Sequence, residues 1–196
     1  MLFRSGAVMT RIVKQPDIRK QELLDIGVRL YFEAGEKGVS IQQVVKQAGV
    51  ATGLFYYYFP SKDAFLDEAL NDYIDKEIQE MEMLLVTEDQ TALEKLDAVC
   101  NAYFAYAEKM APHRSSRAFH TERHYVLTEK LIARLKKRIC TVLLQGQEQQ
   151  EFNLQDIELT AGFLLHGLTS MFDADTEVSE QRLQHIKQLI YKVLKG

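Results

Sequence analysis

Between Ser40 and Lys62 the chain reads SIQQVVKQAGVATGLFYYYFPSK. Thr52, Tyr56, Tyr57 and Tyr58 carry hydroxyls that can reach phosphates or base edges. Gly53 allows close approach of a backbone. Three successive tyrosines on one short helix cannot all face a core. Val50 and Phe55 suffice to seat that helix, and Phe59 can plug the junction after it.

The surrounding residues specify how this chemistry is held. Ser40 is an N-cap, and Gln43 completes a capping box. Val39 and Val44 flank the cap as a hydrophobic staple. Val44, Val45 and Ala48 then share one helical face. Gly49 ends the helix, because glycine accepts the left-handed conformation of a sharp turn. A second short helix is predicted from Thr52 to Tyr58, ending before Pro60. Ser61 caps a third, with Asp63 in its first turn. Two helices joined by a short glycine-containing turn form a helix-turn-helix. The second helix of that motif can enter the major groove of DNA.

The rest of the composition points to an all-α chain. Leu, Glu, Gln, Lys and Ala dominate over β-branched residues, and no strict alternation or hairpin dipeptide occurs. About nine helices are expected. Cys100 and Cys140 are too far apart for a metal motif and too few for a disulfide framework. With no apolar run of membrane length and no signal-peptide core, a cytoplasmic protein is expected. Met9 is an alternative start, with residues 1–8 ahead of it. The net charge of −4 is unevenly placed. Residues 1–62 hold nine Lys/Arg against five Asp/Glu. Arg4, Arg11, Lys14, Arg19 and Lys20 precede the motif, and residues 1–15 read as a basic, flexible arm beside it.

An amphipathic helix runs from Pro16 to Ala34, with Leu23, Ile26, Leu30 and Tyr31 on one face and Gly35 closing it. Taken together, LLDIGVRLYFEAG and SIQQVVKQAGVATGLFYYYFPSKDAFLDEAL resemble the N-terminal domain of the TetR family of bacterial transcriptional regulators. The resemblance covers roughly residues 20 to 70. It implies a helix-turn-helix domain over 16–62 and a ligand-binding and dimerisation domain over 63–196. It places Ser40 and its helix N-terminus against a phosphate. Thr52, Gly53, Leu54 and Tyr57 would lie nearest the bases, Tyr56 and Tyr58 against sugar and phosphate, and Lys62 on phosphate. This sequence departs from the family at Ala51, where Ser or Thr is usual, leaving Thr52 to cap the recognition helix. Glu36 stands where an aromatic is common, and Leu54 replaces a common Thr.

The C-terminal part has no family-wide motif. A long helix from Ser61 to about Val86 links the halves, followed by helices over 91–110, 124–145, 157–172 and after Ser179. The stretch IELTAGFLLHGLTSMF is apolar nearly all round, which requires burial on more than one side. The family pairs its final two helices with those of a second copy. The expected dimer residues are Leu159, Gly162, Phe163, Leu183, Ile186 and Ile190. A small-molecule pocket is expected among Cys100, Tyr103, Phe104, Phe119, Tyr125, Phe163 and His166. No metal or other cofactor is expected, although His120 and His124 in HTERH, with His113, form the nearest thing to a ligand set. Redox sensing by the cysteines is weaker still, since small buried hydrophobes are their default. No P-loop, nucleophile elbow, dinucleotide fingerprint or zincin motif occurs, so an enzyme is not expected. The leading expectation is a dimeric repressor that binds a palindromic operator in double-stranded DNA and is released by a small-molecule effector. The alternatives are a ligand-dependent activator or co-repressed regulator, and a small-molecule-binding helical protein with a vestigial DNA motif.

Overall fold

A computed structural model describes residues 16–113, 122–170 and 179–195. Among them are eight α-helices and no strand: α1 Pro16–Gly38, α2 Ile41–Ala48, α3 Thr52–Tyr58, α4 Lys62–Leu85, α5 Ala92–Met110, α6 Glu122–Glu148, α7 Ile157–Ser170 and α8 Glu180–Lys195. The count is eight where about nine were expected. After α5, Pro112 permits only a 3-10 turn, Ala111–His113.

The helix boundaries follow from local chemistry. The Gln43 N–H donates to Ser40 Oγ and the Ser40 N–H to Gln43 Oε1, both at 3.2 Å, closing the expected capping box. Val39 and Val44 are buried beside it. Gly49 ends α2 with φ 64° and ψ 36°, and the Val50 N–H bonds back to the Val45 carbonyl at 3.0 Å. Ser61 accepts from the Ala64 N–H at 3.1 Å and starts α4. Gly35 interrupts α1 with φ 70°, so the helix proper ends where glycine allows it.

The apolar core forms two clusters. The first gathers Leu23, Leu24, Leu30 and Tyr31 of α1 with Val44, Val45, Phe55 and Phe59. Phe55, Phe59 and Phe65 pack ring against ring at 4.9–5.3 Å between centroids. The second cluster runs through α4 to α8. The helix α4 serves both, giving Phe65, Leu66, Ala69 and Leu70 to the first and Ile74, Ile78, Met81 and Leu85 to the second. The change of cluster therefore lies between Leu70 and Ile74, inside α4.

Polar ties fix the C-terminal helices. Thr91 and Glu94 form a capping box at α5. The carboxylate of Glu151, from the loop after α6, also accepts the Ala92 and Leu93 N–H groups at 3.3 and 3.2 Å, where a negative charge suits the helix start. Asp97 on α5 accepts from Lys187 at 3.0 Å and Tyr191 at 2.7 Å on α8. Burial opposes the Asp97 charge, but these hydrogen bonds outweigh it and hold the carboxyl below the usual carboxylate range. Among the described residues, no helix is long and apolar enough to cross a membrane.

Candidate nucleic-acid interface

The interface starts from the way α3 is seated. Its seven residues are too few to be stable alone. Phe55 and, just past its end, Phe59 are fully buried and fasten it to α1 and α4. That anchoring turns the other side outward. Gly53, Tyr56 and Tyr57 are exposed, Tyr56 by 54% and Tyr57 by 77%. Residues 53, 56 and 57 are spaced i, i+3 and i+4, so they share one side of the helix. Thr52 and Leu54 are half-buried. Among the described residues, a Cβ on Gly53 would meet nothing within 4 Å, so packing against them does not require its small size.

The tyrosines divide their work. Tyr58 is held in place: its hydroxyl donates to the Pro16 carbonyl at 3.0 Å, tying the end of α3 to the start of α1. Its ring stands edge-on to that of Tyr57, 5.1 Å between centroids. Tyr57 is thus a projecting phenol braced by a fixed neighbour. Such a side chain can place a hydroxyl on a phosphate or lay an apolar edge on a base. The exposed side of α3 carries no Arg, Asn or Gln for bidentate base contact.

Two expected roles are altered by local bonding. Ala51 is the N-cap of α3 and no side chain caps it, so Thr52 does not take over the missing serine or threonine. A residue inside the first turn cannot point its hydroxyl back at the N–H groups as an N-cap does. Lys62 is half-buried and donates from Nζ to the Glu36 carbonyl at 2.8 Å, closing the end of α1. Its ammonium has two further donors for a phosphate. Ser40 is exposed but spends its hydroxyl on the capping box. Arg19 pairs with Glu22 at 2.9 Å and Lys20 with Glu68, so both belong to the folded unit rather than a free arm. Arg4, Arg11 and Lys14 lie outside the described residues.

Sequence reasoning missed the polar side of α2. Gln42 and Lys46 are exposed there, while Gln47 accepts from Arg29 at 2.5 Å. The periodicity that placed Val44 and Val45 inward also placed these residues outward, and it was the available signal.

The expected pocket residues are not brought together. Cys100, Tyr103 and Phe104 are buried in the second cluster. Tyr125 is 66% exposed and Phe163 63% exposed, and His166 is exposed as well. An aromatic side chain on a half-paired helix can face outward as readily as inward. Phe119 lies outside the described residues. Burial, then the Asp97 charge, pushes the Cys100 thiol up to about 12, and burial also raises that of Cys140. Neither is poised as a thiolate. His120 lies outside the described residues, and among those described no group of three His, Cys, Asp or Glu is arranged to hold a metal.

The expected dimer residues also divide. Leu159, 70% exposed, and Phe163 stand outward on α7 one turn apart, with Gly162 beside them. Leu183, Ile186 and Ile190 of α8 instead face the chain's own core, where they pack in the second cluster. The apolar residues that α8 leaves outward are Leu189 and Val193. The reason is geometric: α8 packs on α5 through the ties of Lys187 and Tyr191 to Asp97, which turns the 183/186/190 stripe inward.

Residues 23–69 match the family described as bacterial regulatory proteins, tetR family. The HTH-type transcriptional repressor KstR2 of Mycolicibacterium smegmatis is 30% identical over 94 residues, which are 48% of this chain and 45% of that protein. KstR2 of Mycobacterium tuberculosis is 24% identical over 164 residues, 80% of each chain. The solved structure of the transcriptional regulator FadR from Bacillus subtilis in complex with stearoyl-CoA superposes with a TM-score of 0.66. At 19% identity, over 88% of this chain and 98% of that one, it shares the fold. The family match is centred on the α2–α3 motif, and the likeness to the solved structure extends over the helices behind it.

Proposed function

We propose that the protein is a dimeric transcriptional repressor that binds a palindromic operator and leaves it when a small molecule binds behind the DNA-binding unit. The observation that carries the reading is the face of α3. A seven-residue helix is fastened by two buried phenylalanines so that Gly53, Tyr56 and Tyr57 project together. Tyr57 is largely exposed, and among the described residues its ring partner is Tyr58. Repression, rather than activation, is favoured by the relatives named repressors above.

A second copy is needed for this reading. The outward Leu159 and Phe163 of α7, with Leu189 and Val193 of α8, form the surface for it. Two copies related by a two-fold axis place two recognition helices about 34 Å apart, one turn of DNA. The regulatory unit is the second cluster, where the buried Tyr103, Phe104 and Phe152 and the half-buried Tyr106 lie in a largely aliphatic interior. A lipophilic effector suits that interior. It acts only through the difference in its affinity for the DNA-competent and released forms.

The reading is tested with purified protein and an operator selected from random DNA. Binding should weaken steeply with salt. Tyr57→Ala should lose at least tenfold in affinity. Stearoyl-CoA, the ligand in the Bacillus subtilis neighbour, is the first effector to titrate. If no operator emerges from selection, the proposal is wrong.

A further inference from the structure

Ion pairs lace α4 and α6 together along one side. Lys130 reaches Asp75 at 3.2 Å and Asn71 at 2.8 Å. Arg134 reaches both Asp75 and Glu82 at 2.8 Å. The spacing is helical: 67, 71, 75 and 82 share one side of α4, and 123, 130 and 134 one side of α6. The pairs made by Lys130 and Arg134 stay within these two helices. Arg123, in the first turn of α6, goes further.

The Arg123 guanidinium pairs with Asp67 on α4 and, through Nε, with the Glu36 carboxylate at 3.5 Å. Glu36 follows the break at Gly35, in the turn that leads from α1 into α2. The Glu36 carbonyl meanwhile accepts Lys62 Nζ at 2.8 Å. One residue of the DNA-binding unit is thereby gripped twice, through its main chain from the start of α4 and through its side chain from the start of α6. A planar guanidinium can serve two carboxylates at once, which a lysine does less well. Apolar contact accompanies the pair, since Met110 packs in the first cluster and Leu127 against it.

We propose that Arg123 is a positioning residue that couples the start of α6 directly to the α1–α2 turn. A displacement of α6 then shifts the helix-turn-helix without having to travel along α4. The proposal rests on the operator-binding reading above. A solvated arginine with no such role would be the ordinary state of a surface ion pair, and such pairs contribute little to global stability. The signature to seek is therefore coupling between residues, with melting temperature nearly unchanged.

The test is a double-mutant cycle on the full chain, read by operator affinity at fixed salt. Arg123→Gln should weaken operator binding about fivefold in the wild-type background. In a Glu36→Gln/Asp67→Asn background the same change should cost less than about twofold, because its partners are already gone. Hydrogen exchange of the amides over 36–49 should quicken in Arg123→Gln and in Glu36→Gln, without further gain when the two are combined. An equal affinity loss in both backgrounds would mean that Arg123 acts through its own charge on DNA, and would overturn the proposal. So would an unchanged affinity in the wild-type background. Should the wild-type protein bind no operator at all, the regulator reading fails, and the exchange measurement still decides the contact. Unchanged protection of 36–49 in Arg123→Gln overturns it.

Discussion

Gly27 of α1 lies against the ring of Phe65 of α4 so closely that a Cβ at residue 27 would sit 2.3 Å from Phe65 Cζ. The ring cannot swing aside, because it is fully buried and pressed by Phe55 and Phe59. Gly27→Ala should therefore destabilise the protein by about 1–3 kcal/mol through overpacking. Thermal denaturation should show a fall of several degrees, at about 2–4 °C per kcal/mol for a chain of this size. An unchanged melting temperature would mean that the crossing of α1 over α4 is looser than described.

Tyr57 and Tyr58 should separate binding from folding. Tyr57→Ala removes an exposed ring and should change stability by less than about 0.5 kcal/mol. Its operator affinity should fall at least tenfold, about 1.4 kcal/mol. Tyr58→Phe deletes the donor to the Pro16 carbonyl and should cost roughly 0.5–1.5 kcal/mol of stability. Equal melting losses in both variants would contradict this division.

Gly53→Ala should move stability and affinity in opposite directions. Alanine is favoured over glycine inside a helix by roughly 0.5–1 kcal/mol, and the added Cβ meets nothing among the described residues. The melting temperature should rise while operator binding weakens, since the methyl would occupy space kept open for DNA. A variant that binds as tightly as wild type would remove Gly53 from the interface.

The helices α1 to α3 were legible in the sequence because their signals are local. Ser40, Gln43, Gly49 and Ser61 act on backbone groups three to five residues away, and no distant partner can change that. The side chains of Val44, Val45 and Phe55 also had one apolar direction available. The far half was less legible for a physical reason. In α8 the residues 183, 186 and 190 form one stripe and 189 and 193 another, and hydrophobicity does not say which faces the chain itself. Contacts from Lys187 and Tyr191 to Asp97, some 90 residues away in sequence, decide it. The Lys62 contact to Glu36 and the Arg123 contact to Glu36 are similarly invisible to spacing. Phe163 was expected both in the pocket and at the dimer surface, and its exposure favours the second.

Substitutions on the last two helices should fall into two kinds. Leu159→Glu or Phe163→Glu places charge on an outward face, and should yield a folded monomer by light scattering with unchanged helical circular dichroism. Leu183→Ala opens the interior and should cost about 2–5 kcal/mol. A dimer that persists in the Leu159→Glu/Phe163→Glu double variant would place the subunit contact elsewhere.

Asp97 should mark the stability of the protein in acid. Burial works against its charge, but the Tyr191 and Lys187 hydrogen bonds prevail and keep it deprotonated to lower pH than in the unfolded chain. A folded carboxyl that binds its proton less readily stabilises fully above the unfolded value, near 4, and stops doing so as pH falls through its lower folded value. Asp97→Asn should thus be less stable than wild type at pH 7, by about 1–3 kcal/mol given the buried Lys187 left unpaired. The two denaturation curves should converge below about pH 4. A gap that stays constant down to pH 2 would assign the loss to packing rather than charge.

The sharing of α4 between the two apolar clusters sets where this protein can be cut and rejoined. A fragment stopped at residue 62 would leave Leu23, Phe55 and Phe59 without Phe65, Leu66, Ala69 and Leu70, the side chains that close their cluster. A chimaera that grafts this DNA-reading unit onto a foreign sensor has to carry α4 through Leu70 and splice before Ile74. Recombination between relatives meets the same constraint, so the inherited unit of DNA recognition is longer than the helix-turn-helix by two turns of the helix that follows it.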